Sequence, residues 1–218
     1  MAMDTFAACL ALGPLAIYLL VLGAINLSAR PLVVNGTREL IALALAVAGL
    51  VVVGPMQLFM PEAAAAQFGT LVWALLISFY VLCLILLVIV VRPRLVVYNM
   101  TPDQLRPILE TLAKRLDHES VWAGRALSLP QMRVHLVIDS FPALQNVALL
   151  ATSHGQSIAG WRRLEAALRE ELREVSVAGR THGVWLALCG GMILLALALR
   201  VVDDPQTIAR GIDRMLHP

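Results

Sequence analysis

Charge is what this sequence has least of. Only 15% of its 218 residues are charged, while 59% are hydrophobic and the mean hydropathy is +0.79. A soluble domain carries about a quarter charged residues, so the deficit excludes an ordinary soluble globule and points to a membrane protein. The net charge of +2 is too small for a nucleic-acid-binding surface. Cysteine is sparse as well. Cys9, Cys83 and Cys189 stand singly inside apolar runs, which excludes a disulfide framework and a thiolate zinc site. His118, His135, His154, His182 and His217 have no metal-ligand spacing to one another or to a cysteine. No phosphate-binding glycine loop, zinc-hydrolase helix or nucleophile elbow occurs. No catalytic, cofactor-binding or metal-binding residue is therefore expected.

What is present is apolar length. Four runs, about 6–27, 40–60, 70–91 and 184–202, approach the ~20 residues that cross a bilayer core as a helix. Their cores contain no Asp, Glu, Lys, Arg or His; Arg200, at the end of the fourth, can snorkel to the interface. Pumps and proton relays keep ionisable groups inside the membrane, so conduction by this chain alone is disfavoured. The first run is too long for a signal peptide's apolar region and lacks a basic leader and a small-residue cleavage site. It reads as a membrane helix. Gly13-Pro14 and Gly54-Pro55 should bend the first two helices. Ala42-Ala46, Ala44-Ala48 and Gly190-Gly191 offer small faces for close helix packing.

Arginine placement orients the chain. Arg30 and Arg38 lie in loop 28–39, loop 61–69 has Glu62 and no basic residue, Arg92 and Arg94 follow the third run, and Arg180 precedes the fourth. The positive-inside rule then puts the N-terminus outside, 92–183 on the cytoplasmic side, and the tail 203–218 outside. The tail stretch 205–216 reads as a short surface helix or a frayed end.

Segment 92–183 has a different composition, with 12 Lys and Arg against 9 Asp and Glu. Arg92-Pro93-Arg94 ends the third helix at the inner surface, since continuing the span to Met100 would bury two arginines in hydrocarbon. LVVYNM (95–100) then reads as a strand, and Thr101-Pro102-Asp103 as a helix start. The helix should run over about 102–117, with Leu105, Leu109, Leu112 and Leu116 on one face. Strands are expected at 124–130, 132–139 and 146–152. In the second, Val134, Leu136 and Ile138 alternate with Arg133, His135, Val137 and Asp139. An amphipathic helix over about 158–177 closes the segment, with Ile158, Trp161, Leu164, Leu168, Leu172 and Val175 as its apolar stripe.

The expected architecture is an integral membrane protein with four transmembrane helices and an inserted small α+β two-layer domain, β-α-β-β-β-α, in ferredoxin-like style. Residues 1–91 form a three-helix membrane region, 92–183 the domain, 184–202 the fourth helix and 203–218 the tail. Helices on one face of the sheet leave Arg133, His135 and Asp139, with Ser128, on an open face that is a candidate interaction surface. The loop 152–157, with Ser153, His154, Gly155 and Ser157, is a weak candidate for anion binding at a helix start. Arg92, Arg94 and Arg180 are placed to touch lipid headgroups. Asn35-Gly36-Thr37 and Asn99-Met100-Thr101 match the glycosylation pattern but fall on the inner side, as chance matches do.

The leading functional expectation is a non-catalytic, membrane-anchored interaction or scaffold protein, an accessory subunit of a larger membrane assembly. Its partners are membrane lipids and a protein partner or a second copy; no cofactor and no nucleic acid enter. Two other readings remain open. One is an enzyme or transporter component acting on a lipid-like or small substrate at the inner interface, through Tyr98, His135, Asp139 or His154. The other is a ligand-sensing membrane protein.

Overall fold

The computed structural model describes residues 5–56, 70–141, 146–177 and 182–203. The loop 61–69, residues 142–145, Arg180 and the tail 205–216 lie outside the described residues. Two compact units are present. One comprises Met1–Gly23, Ile41–Val88 and Val184–Pro218, and the other Ala24–Leu40 and Ile89–Gly183.

The first unit is helical. Helix α1 (Thr5–Leu27) runs through Pro14 without a break. Helix α2 (Gly36–Val51) loosens into one π-helical turn over Val52–Met56, which contains Gly54-Pro55. That is the local rearrangement a missing proline donor calls for. Helix α3 spans Thr70–Val90 and α6 spans His182–Asp203. Among the described residues, three helices are long and apolar enough to cross a membrane, over Thr5–Leu27, Gly36–Gly54 and Gly183–Asp203; a shorter apolar stretch occupies Ala74–Val90.

Glycine sets how closely these helices approach. A Cβ at Gly49 would overlap the Leu10 carbonyl of α1. A Cβ at Gly190 would lie 2.9 Å from the Ala16 carbonyl oxygen, also on α1. Ala46 is buried beside Gly49, and Ala8, Ala11 and Ala16 are buried on α1. The contact face of α2 is therefore Ala46–Gly49; Ala42 is exposed. Gly191 has nothing within 4 Å of its would-be Cβ, so only one residue of the glycine pair packs. The Tyr80 hydroxyl of α3 donates to the Ala44 carbonyl at 2.9 Å.

The second unit is a six-stranded antiparallel sheet with two helices on one face. Its strands are β1 (Leu32–Asn35), β2 (Arg94–Tyr98), β3 (Val121–Ala123), β4 (Ala126–Leu129), β5 (Val134–Phe141) and β6 (Asn146–Ala151). Their order is β1-β2-β6-β5-β4-β3, with every neighbouring pair antiparallel. Helices α4 (Pro102–Leu116) and α5 (Ile158–Glu171) cover one face. Leu105, Leu109 and Leu112 meet Leu164 and Leu168 over Val33, Leu95, Val97, Leu136 and Leu149 in one apolar core. The strand alternation Val134, Leu136, Ile138 is buried as expected.

The expected order gains two strands. β3 is a three-residue partner of β4. β1 comes from the loop between α1 and α2 and pairs with β2 from Leu32↔Tyr98 to Asn35↔Leu95. The result is a four-strand meander, β3 to β6, beside which β2 and then β1 add. It is a mixed α+β fold, but not the β-α-β-β-α-β order of ferredoxin-like folds. Three local expectations also shift. Arg133 lies in a turn with φ 51°, and the strand starts at Val134. Ile158 is exposed; Gly160 is buried in its place, where a Cβ would overlap the Met132 carbonyl. α5 stops at Glu171, and Leu172 and Val175 reach the core from the following turn.

Candidate functional site

Three groups of polar residues on the sheet-bearing unit bear on function. The first is the junction of β1, β2 and the first turn of α2. Asn35, the last residue of β1, accepts a hydrogen bond from the Thr37 amide at 3.0 Å and so caps α2. Its own amide donates to Glu165 of α5 at 3.4 Å. Glu165 also pairs with Arg169 at 2.7 Å, and Arg169 donates to the Val33 carbonyl at 3.4 Å. On the opposite face of the sheet, Glu39 accepts from the Tyr98 hydroxyl at 2.8 Å and pairs with Arg94 at 3.0 Å. Gly36 makes room for this, since a Cβ there would overlap the Arg94 side chain. Asn99, in the left-handed region at φ 66°, donates from its side chain to the carbonyls of Ile25 and Ser28. Both glycosylation-pattern asparagines are thus committed to joining elements. Arg94, expected at a lipid headgroup, pairs with Glu39.

The second group is the open sheet face. His135 is exposed, and its Nδ1 lies 2.8 Å from the Ser128 hydroxyl, its cross-strand neighbour. Asp139 accepts from the Ser140 amide at 2.9 Å. His135 and Asp139 share a face but stand four residues apart on β5, which is about 13 Å of extended chain. Arg133, in its turn, leaves that face. Between His135 and Asp139 the face is apolar: Ala126, Val137, Ala148 and Leu150 are each half-buried, with register pairs Ala126↔Val137 and Val137↔Leu150. Further along the same face, on β2, Val96 and Tyr98 are buried.

The third group is the turn 152–157. Ser157 is the N-cap of α5, accepting from the Gly160 amide at 3.1 Å. Gln156 takes over from β6 where that strand ends. Its carbonyl oxygen accepts from the His135 amide at 3.0 Å, and its amide donates to the His135 carbonyl at 2.7 Å. The Trp161 indole also donates to Gln156, at 3.0 Å. Gly155 has φ 79°, and Ser153 accepts from Gln156 at 3.3 Å. His154 meets Arg92 at 3.5 Å, and Arg92 also donates to the Thr152 carbonyl at 3.3 Å. Ser153, His154 and Asp139 therefore each have a different partner.

Sequence patterns passed over Gln156, Glu39 and Asp117. Asp117 is completely buried at the end of α4 and accepts from the amides of Glu119 and Gln131, each at 2.9 Å. An acid at a helix C-terminus opposes the macrodipole, and that misplacement was the available signal. No group of three or more metal-ligating side chains occurs among the described residues. A groove of about 370 Å³ between α4 and the end of α5 has an apolar floor of Leu112, Leu116 and Ala167 and is bridged by Arg115–Glu171 at 3.0 Å. It brings together no nucleophile and base. No protein-family model matches the chain, and no curated protein or solved structure is significantly similar to it.

Proposed function

We propose that this chain is a non-catalytic, membrane-anchored interaction protein, an accessory subunit whose α+β domain presents its open sheet face to a protein partner or a second copy. One observation carries this reading. The apolar patch Ala126, Val137, Ala148 and Leu150 lies half-exposed on a sheet whose other face is filled by two helices. A sheet with one such uncovered apolar patch is suited to an interface. In this reading α3 is a fourth span, and the domain faces the cytoplasm, as the arginines of 28–39 and 92–94 suggest. The lipid-enzyme reading loses support because Tyr98, His135, Asp139 and His154 have separate partners.

The test is a pair of charge insertions on the patch, Val137→Glu and Leu150→Glu, in the full-length chain. Each should abolish a defined co-purifying complex on native gels while the domain stays folded by hydrogen exchange. A wild-type chain that purifies as a lone monomer with a bound lipid or metabolite would sink this reading. Orientation is checked separately: a reporter active only outside the membrane, fused after Asp117, should stay silent.

A further inference from the structure

We propose that Arg92, His154 and Ser153 form a binding site for a phosphate group, presented either by an anionic lipid headgroup or by free phosphate. Arg92 comes two residues after the end of α3 at Val90, and His154 is 62 residues further along. The fold brings them to 3.5 Å, in a contact where Arg92 donates to the imidazole. Both side chains are exposed. Two basic groups meeting at the outer limit of hydrogen-bond distance gain little from each other. A guanidinium has five N–H donors, and among the described residues only the bonds to His154 and the Thr152 carbonyl engage them.

Arg92 differs in this from its near neighbour. Arg94 is held by Glu39 at 3.0 Å, whereas Arg92 pairs with no carboxylate among the described residues. The two stretches that meet at the site are acid-free: none of residues 63–102 and none of 140–164 is Asp or Glu. Ser153 adds a hydroxyl. Because Ser153 accepts from Gln156, its own proton remains available to donate. Gln156 is itself fixed on the His135 backbone, which holds the turn in place. An oxyanion seated between Arg92 and His154 would replace one weak bond between bases with charge-assisted bonds from both, and a third from Ser153. The lipid source rests on α3 being a span, which puts Arg92 at headgroup level; the free-phosphate source does not.

The experiment uses the full-length chain in nanodiscs of phosphatidylcholine, with and without phosphatidylglycerol. Two readouts are taken: lipid retained on delipidation by native mass spectrometry, and the His154 imidazole resonance, assigned by its loss in His154→Gln. If a headgroup is the ligand, phosphatidylglycerol is retained over phosphatidylcholine and shifts the resonance. Arg92→Gln and His154→Gln then each lower retention about fivefold. If free phosphate is the ligand, inorganic phosphate shifts the resonance in phosphatidylcholine alone, and Arg92→Gln abolishes the shift. The proposal is overturned if neither anion moves His154 and both variants retain phosphatidylglycerol as the wild type does. Failure of the interaction reading would show in the native-gel assay and leave these readouts unchanged.

Discussion

The two units solve the problem of apolar residues in opposite ways. In the α+β unit the large apolar side chains are hidden: Leu105, Leu109, Leu136, Leu149, Leu164 and Leu168 are all at 0% exposure. In α3 the same residue types face outward around the helix, with Leu75, Phe79, Leu82 and Ile89 between 62% and 73% exposed. The α+β unit is stabilised by removing apolar surface from water. The helical unit buries mainly alanine and glycine between its helices. In apolar surroundings, close packing and a few hydrogen bonds would take over there. The same leucine therefore has a different physical meaning in each unit.

The sharpest way to break this comparison is to shorten one leucine in each. Leu109→Ala should cost about 2–5 kcal/mol through lost burial and a residual cavity. It would be read as reduced hydrogen-exchange protection across the domain in the full-length protein. Leu82→Ala should leave that protection unchanged. Equal losses from both would show that α3 is packed like a soluble core.

Asp117→Ala comes next, at about 2–4 kcal/mol, because it leaves the amides of Glu119 and Gln131 without their acceptor in a fully buried site. Protection should fall first over 117–132, and Asp117→Asn should restore part of it. An unchanged exchange pattern would rule out the clamp.

In the helical unit the sensitive residue is small. Gly49→Val should destabilise by about 1–3 kcal/mol through overpacking against Leu10, seen as a lower melting temperature in detergent. Gly191→Val, with open space around it, should melt like the wild type. The smallest effect expected is Tyr80→Phe, which removes the bond to the Ala44 carbonyl at about 0.6 kcal/mol. A loss above that of Gly49→Val would mean that polar contacts rather than small-residue packing hold these helices.

Periodicity carried much of this fold. Val134, Leu136 and Ile138 announce one buried face because the side-chain period of a strand is two. Leu105, Leu109 and Leu112 announce α4, and the Thr101-Pro102 start fits, with Gln104 accepting from the Thr101 amide at 3.1 Å. β1 and β3 escaped because four and three residues are too few to establish a period. LVVN also sits between Arg30 and Arg38, where charge pointed to a loop. The polar groups were harder to place. Ser128 and His135 are cross-strand partners only once the β4–β5 register is known, and nothing local to Arg92 or His154 signals their meeting. Gln156 looked like one more polar residue in a turn; its role depends on β6 ending at Ala151, opposite Leu136.

The contribution of 32–35 to the sheet has a consequence for how the molecule is made. Synthesis delivers the chain from its N-terminus, and domains form as their segments emerge. β1 is made with the first pair of helices, yet its partner β2 arrives after α3, and β2 in turn awaits β6. For that interval β1 has no partner strand. A fragment beginning at Arg92 would lack β1 altogether, leaving β2 as a bare edge and the core without Val33. The domain is completed by a piece of chain older than itself, so cutting it free at the apparent boundary removes part of what folds it.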